Sequence, residues 1–360
     1  MSEGPVVSAE ALTELSLGIL RGMGAPPETA AEVARHLVTA NLSGHDSHGV
    51  LRLPQYVAEM DAGELLPAAE TELVQASAVC ALFDAHRGLG QRSTVVAAEW
   101  VARQAHEHGL AAAAVRHSMH IGRLGEYGER LAGEGLVGIV TVGIAGQGSG
   151  TVAPFGGTAR FLGTNPWCIA VPAAGRPPFV FDAATSALAE GKIRLALAKG
   201  AQLPPGAVFD PQGAPSREPA DLYAGGTMAV LGGELAGHKG FGLSLAAALV
   251  GGLAMIGDPD PSSAGTMRRA PEWGARLAGV FLAAVEPSAF GDALEYQRQV
   301  AEVLDSVAAV PAVPGVERVL VAGDPERASR ERRRREGIPV PAATWAELMA
   351  LAERFGVPVP

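Results

Sequence analysis

The segment Gly44-His45-Asp46-Ser47-His48-Gly49-Val50-Leu51-Arg52 holds the residue types that a small anionic substrate needs. An imidazole, with an unperturbed pKa of about 6.5, exchanges a proton near neutrality. A guanidinium grips a carboxylate through two parallel hydrogen bonds. His48 and Arg52 are four apart, so they share a face if a helix has begun by then. One group would serve the oxygen of a 2-oxo acid and the other its carboxylate. The plainer alternative is that Asp46 and Ser47 cap the helix and Arg52 pairs at the surface.

Three further places carry candidate groups. Arg116-His117-Ser118-Met119-His120-Ile121-Gly122 follows an apolar run, at the carboxyl end of a strand, where ligands of α/β sheets collect. Either His117 or His120 could enter a site there, and helix capping is the alternative. Phe161-Leu162-Gly163-Thr164-Asn165-Pro166 and Phe181-Asp182-Ala183-Ala184-Thr185-Ser186 each border an apolar run. Asp182 could orient a histidine or bind a polar cofactor group, or with Thr185 cap a following helix. Gly237-His238-Lys239-Gly240-Phe241-Gly242 sets a lysine at a helix start, between glycines that allow close approach of a phosphate or carboxylate. Tight helix packing, with Lys239 in solvent, would explain the same glycines.

The elements that must position these groups follow from periodicity. Ser8 reads as an N-cap, with Leu12, Leu15 and Ile19 at helical spacing before Gly24. Pro27 opens a second helix with Ala30, Val33 and Leu37 on one face. From residue 78 strands and helices alternate: helices at 93–108 and 122–133, strands at 111–115 and 136–142. The two strands and the helix between them read as a βαβ unit with parallel pairing. Further strands fit 167–171, 179–181 and 279–285, and helices fit 292–306, 325–335 and 344–354. The run Phe241–Ile256 falls short of the ~20 residues that span a bilayer and reads as a buried core helix. The run Arg332–Arg335 reads as a solvated helix face.

At 360 residues, 48% hydrophobic and 18% charged, the chain can bury a large core and divide into two domains. A net charge of −10 disfavours nucleic acid and anionic membrane as partners. Any anionic substrate must then be met by a few local cations. Cys80 and Cys168 are too few for a disulfide framework or a cysteine zinc site, so a reducing cytoplasm and no metal are expected. The start MSEGPVVSAE gives no sign of a secretory signal. No G-x-G-x-x-G joins a strand to a helix, so the ordinary dinucleotide fingerprint is missing.

Taken together and in order, GHDSHGVLRLPQY, HSMHIGRLGEY, VAPFGGTARFLGTNP, FDAATSALAEGKI and GHKGFGLSL resemble the malate/L-lactate dehydrogenase family, from about Ala11 to about Ala352. The resemblance implies an α/β fold with a non-Rossmann NAD(P)-binding mixed sheet at 78–289. It also implies a helical substrate and dimerisation domain from 1–77 plus 290–360. It places Ser47, His48 and Asp182 in a relay about a proton-donating histidine, His120 on a second acid/base position and Arg52 on the substrate carboxylate. NAD or NADP would meet Thr164, Asn165, the stretch Asp182-Ala183-Ala184, His238, Lys239 and the loop Ala322-Gly323-Asp324. That loop departs from the family's Pro-Gly-Glu, and His238 stands where an aromatic residue is common.

The function expected is hydride transfer between a nicotinamide cofactor and a small 2-oxo or 2-hydroxy acid, by a homodimer. Reduction of a cyclic imino acid is the alternative within the resemblance. A hydrolase built on Ser47, His48 and Asp182 is a rival, although no nucleophile elbow is present. A non-catalytic nucleotide or metabolite sensor is another, set against by the presence of both histidines and Arg52.

Overall fold

The computed structural model describes residues 4–258 and 277–359. Its two ends are built together. Strand β1 (Val6–Val7) precedes helix α1 (Ala9–Gly22), where the Ser8 hydroxyl accepts the Ala11 amide at 3.1 Å and so satisfies an otherwise orphaned donor. Helix α2 (Pro27–Leu42) opens on a proline, whose missing N–H costs nothing in the first turn. Leu12, Leu15, Ile19, Ala30, Val33 and Leu37 form one buried stripe. They pack with Leu53, Tyr56 and Val57 from α3 (Leu53–Asp61).

The large sheet comes next. Strands β2 (Glu72–Ala76) and β3 (Cys80–Asp84) lead into α4 (Gly90–His108), β4 (Leu110–Arg116), α5 (Gly125–Gly133) and β5 (Val137–Ala145). Strands β6 (Trp167–Val171) and β7 (Phe179–Ala183) follow. A smaller part comprises α6 (Glu190–Lys199), β8 (Val208–Phe209), β9 (Pro215–Ser216), α7 (Pro219–Tyr223) and β10 (Thr227–Met228). After α8 (Gly233–Gly251) come β11 (Leu277–Val285), α9 (Ala293–Ala308), α10 (Asp324–Glu336), β12 (Ile338–Pro339) and α11 (Ala342–Phe355). Strand β12 pairs antiparallel with β1, and Leu348 and Ala352 of α11 complete the N-terminal core.

The seven strands lie in the order β2-β3-β4-β11-β5-β6-β7. This overturns the expected parallel pairing of β4 with β5. Strand β11 runs antiparallel between them, with Phe281 opposite Ala114 on one side and Thr141 on the other. The parallel βαβ unit is β3-α4-β4. A strand covered on both faces reads as an apolar run whichever way it points, so hydrophobicity alone does not encode its direction. Both faces are covered here. Gly138 meets Leu131 of α5, while Gly143, on the opposite face of the same strand, meets Ala247 of α8.

Helix α8 also differs from expectation. It starts at Gly233 and runs with its terminal 3₁₀ turn to Met255, long and apolar enough for a membrane span by length and composition. It packs on the sheet where Ala247 meets Gly143 and Gly251 meets Gly279, while Leu243 and Leu249 stay about half exposed. The glycines of GELAGHKG obscure the helix start; in the fold Gly240 lies against the Leu231 backbone and Gly237 against the Phe155 ring. The arginine run of α10 is only partly a solvated face: Arg333 turns inward onto Asp46, at 2.6 and 3.0 Å.

Candidate active site

The turn after α2 does not continue as a helix. Two 3₁₀ turns, Asp46–His48 and Val50–Arg52, are separated by extended Gly49, and α3 begins only at Leu53. His48 and Arg52 are therefore not brought together by helical spacing. Asn41 anchors the turn instead, donating to Asp46 at 2.7 Å and accepting the Val50 amide at 2.9 Å. A Cβ on Gly49 would collide with that Asn41 side chain, so the anchor needs glycine. Arg52 folds back: its Nε donates to the Ser47 carbonyl at 2.7 Å, and one Nη donates to Gln55 Oε1 at 2.6 Å. The other Nη has no partner among the described residues, so the outer edge of the guanidinium remains available.

His120 arrives from the loop after β4. His117 takes a left-handed backbone there (φ 50°), and the chain then runs across Gly90, where a Cβ would strike the Met119 and His120 carbonyls. The His48 and His120 rings stack with centroids 5.5 Å apart and an interplanar angle of 24°. Ser47 Oγ lies 2.9 Å from His48 Nδ1, and Tyr56 Oη lies 2.7 Å from His120 Nδ1. Gln91 Nε2 donates to Tyr56 Oη at 2.7 Å. Each imidazole thus has Nδ1 held, while Nε2 has no partner among the described residues.

Both residues are half-buried, and this sets the charge of their rings. Burial first, and the Arg52 charge next, push the His48 pKa down to about 3. The same two causes carry His120 well below the ordinary imidazole value. Both are neutral at pH 7 beside the charged Arg52 guanidinium. Burial also raises the Tyr56 phenol, which keeps its proton.

Asp182 stands outside this group. Of the residues expected in a relay, Ser47 and His48 are in contact, whereas Asp182 has its hydrogen-bond and ionic partners elsewhere. The Asp182 carboxylate accepts the Gly125 amide at 2.7 Å, capping α5 from the sheet face that this helix covers, and lies 3.7 Å from Arg123 Nε. It caps neither a histidine nor the helix that follows it in sequence. Burial raises its pKa against the opposing pull of Arg123 and His45. Arg123 is itself buried and bonded to Glu129 at 2.7 Å, and Glu129 takes Arg330 of α10 at 2.6 and 2.7 Å.

The remaining candidates fall on two sides of the sheet's end. Asn165, in a left-handed conformation (φ 38°), spends its side chain on backbone: it donates to Ile144 and Ser244 carbonyls and accepts the Ile144 amide. The Thr164 carbonyl accepts both the amide and hydroxyl of Thr185. Ala183 and Ala184 are half-buried at the end of β7. His238 and Lys239 are exposed near the start of α8, with His238 edge-on to Phe155. Gly323 (φ 96°) begins α10, and Asp324 accepts the Val321 amide at 2.9 Å. Among the described residues no group of three His, Cys, Asp or Glu side chains is disposed to hold a metal ion. Sequence reasoning missed Tyr56, Gln91 and Arg123. Tyr56 carried a signal, lying one helical turn after Arg52.

The site thus brings together a histidine pair and a half-free arginine beside a mixed seven-stranded sheet. The chain belongs to the malate/L-lactate dehydrogenase family, whose model matches residues 7–349. It is 33% identical to hydroxycarboxylate dehydrogenase B of Escherichia coli K12 over 358 residues, covering 99% of this chain and 96% of that protein. It is 33% identical to a Δ1-pyrroline-2-carboxylate reductase of Ancylobacter novellus, covering 93% and 94%. The solved structure of sulfolactate dehydrogenase from Methanocaldococcus jannaschii superposes with a TM-score of 0.85 at 30% identity, covering 99% and 98%. The chain is accordingly an oxidoreductase of the hydroxy-acid dehydrogenase class.

Proposed function

We propose that the chain interconverts a small 2-hydroxy acid and its 2-oxo acid, with Arg52 holding the carboxylate and His48 moving the proton on the carbon-2 oxygen. The observation that carries this is the juxtaposition of a half-free guanidinium with two stacked neutral imidazoles, each open at Nε2. Ser47 sets the His48 ring, and His120 meets the same oxygen. A bound nicotinamide supplies or accepts the hydride at carbon 2. A positioned acid/base of this kind contributes about 10²–10⁴-fold.

The residues present fit such a cofactor. Helix α8 opens on Gly232 and Gly233, both left-handed and without a side-chain cap, so its first amides are unclaimed by side chains. His238 and Lys239 add positive or donor groups close by, a set suited to a diphosphate. Thr164, the backbone about Asn165, Asp182, Ala183, Ala184 and the Gly323-Asp324 loop would form its other contacts. The Asn165 and Asp324 side chains already have intramolecular partners, so their contribution is in shaping backbone. NAD and NADP are both admitted by this set.

The chain acts as a homodimer in this reading, supported by exposed Leu243 and Leu249 on α8 and Val303 on α9. Two parts, 1–77 with 290–360 and 78–289, are supported by the shared core of α1, α2, α3 and α11. Two free cysteines support a reducing, cytoplasmic setting, and the net charge of −10 supports the absence of membrane and nucleic-acid partners. Reduced NAD or NADP mixed with protein and a panel of 2-oxo acids and cyclic imino acids tests the reaction by loss of the reduced-nicotinamide absorbance. Oxidation with a 2-oxo acid supports it. Turnover with cyclic imino acids alone would shift the electrophile to C=N, and silence across the panel with cofactor bound would defeat it.

A further inference from the structure

We propose that Gln91 and Tyr56 are positioning residues that hold His120 as the tautomer protonated at Nε2, leaving His48 as the group that exchanges the proton. This rests on the proposed function for its consequence, but not for its geometry. The chain of contacts runs Gln91 Nε2 to Tyr56 Oη at 2.7 Å, then Tyr56 Oη to His120 Nδ1 at 2.7 Å. A phenol has one proton to give. If its oxygen receives the amide of Gln91, that proton points to His120 Nδ1. Nδ1 then accepts, and in a neutral ring the single N–H must sit on Nε2, the nitrogen open to the site.

The opposite polarity is disfavoured by the surroundings of Gln91. Its Oε1 is buried and has no partner among the described residues. Turning the amide over would bond Oε1 to the phenol but leave both N–H donors of the buried amide stranded. An orphaned carbonyl is tolerated more often than an orphaned N–H. Gln91 and Tyr56 are almost wholly buried, so water does not reverse the chain easily.

The consequence divides the two histidines. His120 carries its proton throughout and donates a hydrogen bond to the carbon-2 oxygen. His48, its Nδ1–H turned onto Ser47 Oγ, presents a lone pair at Nε2 and takes the hydroxyl proton as carbon 2 is oxidised, its hydride leaving to the nicotinamide. In the reverse direction the same proton returns from His48.

The test is nitrogen-15 NMR of histidine-labelled, substrate-free protein, with His120 assigned by the signals lost in His120→Asn. The expected result is a protonated Nε2 and a hydrogen-bond-accepting Nδ1. In Tyr56→Phe, the Nδ1 signal should move and both tautomers appear, with kcat falling about tenfold, the order of one lost hydrogen bond. Gln91→Met should move the same signal by less. A proton on Nδ1 in the wild-type protein would overturn the proposal. So would unchanged His120 nitrogen signals in a folded Tyr56→Phe. Should Tyr56→Phe fail to fold, the wild-type spectrum still decides. Silence in the 2-oxo acid panel alongside the expected spectrum would defeat the proposed function and leave the tautomer assignment standing.

Discussion

His117 and His120 lie three residues apart at the end of the same strand, yet the molecule treats them differently. His117 Nδ1 lies 3.0 Å from both Asp84 oxygens, and its Nε2 lies 2.8 Å from Asp258. Asp84 also takes Arg116 and the His86 amide, each at 2.8 Å. A cavity of about 210 Å³ beside it, lined by Leu66, His86, Arg87 and His117, borders a cluster in which both imidazole nitrogens of His117 meet carboxylates. His120 and His48 have one nitrogen held and one open, with no carboxylate bonded to either ring among the described residues, and a guanidinium beside them. Equivalent residue types thus make a tie in one place and a pair of open imidazoles in the other. The distinction lies in which nitrogens the fold leaves open.

Substitution at the two places should separate them most sharply. His48→Asn is expected to lower kcat/KM by about 10²–10⁴-fold with little change in melting temperature. His117→Asn removes the imidazole that joins Asp84 to Asp258, so its main effect should be a stability loss of about 2 kcal/mol in chemical denaturation, with kcat per folded molecule largely kept. Equal losses of kcat in both variants would erase the contrast.

Arg52→Lys sharpens it further. Lysine keeps the charge but loses the planar fork, so KM for the acid should rise roughly 10- to 100-fold with a smaller change in kcat. Steady-state kinetics at fixed cofactor would show this.

The pH dependence of stability reports the open histidines. His36 and His48 have folded pKa values depressed to about 3, and His120 is depressed as well. The unfolded chain binds these protons once pH falls below about 6.5, whereas the folded chain does not. Their stabilising contribution is therefore whole above pH 6.5 and is lost as pH falls towards 3, at up to about 1.4 kcal/mol per pH unit for each group. His36→Gln should flatten part of that slope in urea titrations between pH 6.5 and 4. An unchanged slope would mean His36 is not held neutral.

The smallest effect is a linked proton. Arg52 is the second cause of the depression at His48 and His120, so a bound carboxylate that offsets its charge should raise the His48 pKa. Oxamate binding with reduced cofactor, measured by calorimetry in buffers of different ionisation enthalpy, should take up a fraction of a proton near pH 6. Binding with no uptake would detach Arg52 from the histidines.

Much of this was legible in the residues. Ser8, Pro27 and the apolar stripes of α1 and α2 specified both helices, and 167–171 was read as the strand it is. His48, Arg52 and His120 stood out by type and context. The direction of β11 was not legible, because a strand buried on both faces has the same apolar signature either way. For Asp182 the sequence offers a histidine, a cofactor group or the following helix as partner, whereas in the fold it meets Gly125 and Arg123. Tyr56 lay one turn after Arg52, but Gln91 has the look of an ordinary helix residue, and only the tertiary fold brings the two to His120.

The most direct measurement is label transfer from a reduced nicotinamide deuterated at carbon 4. With an active 2-oxo acid, mass spectrometry of the product should find deuterium at carbon 2, and His48→Asn should slow its appearance without diverting the label. A product carrying hydrogen from solvent at that carbon would contradict direct hydride transfer.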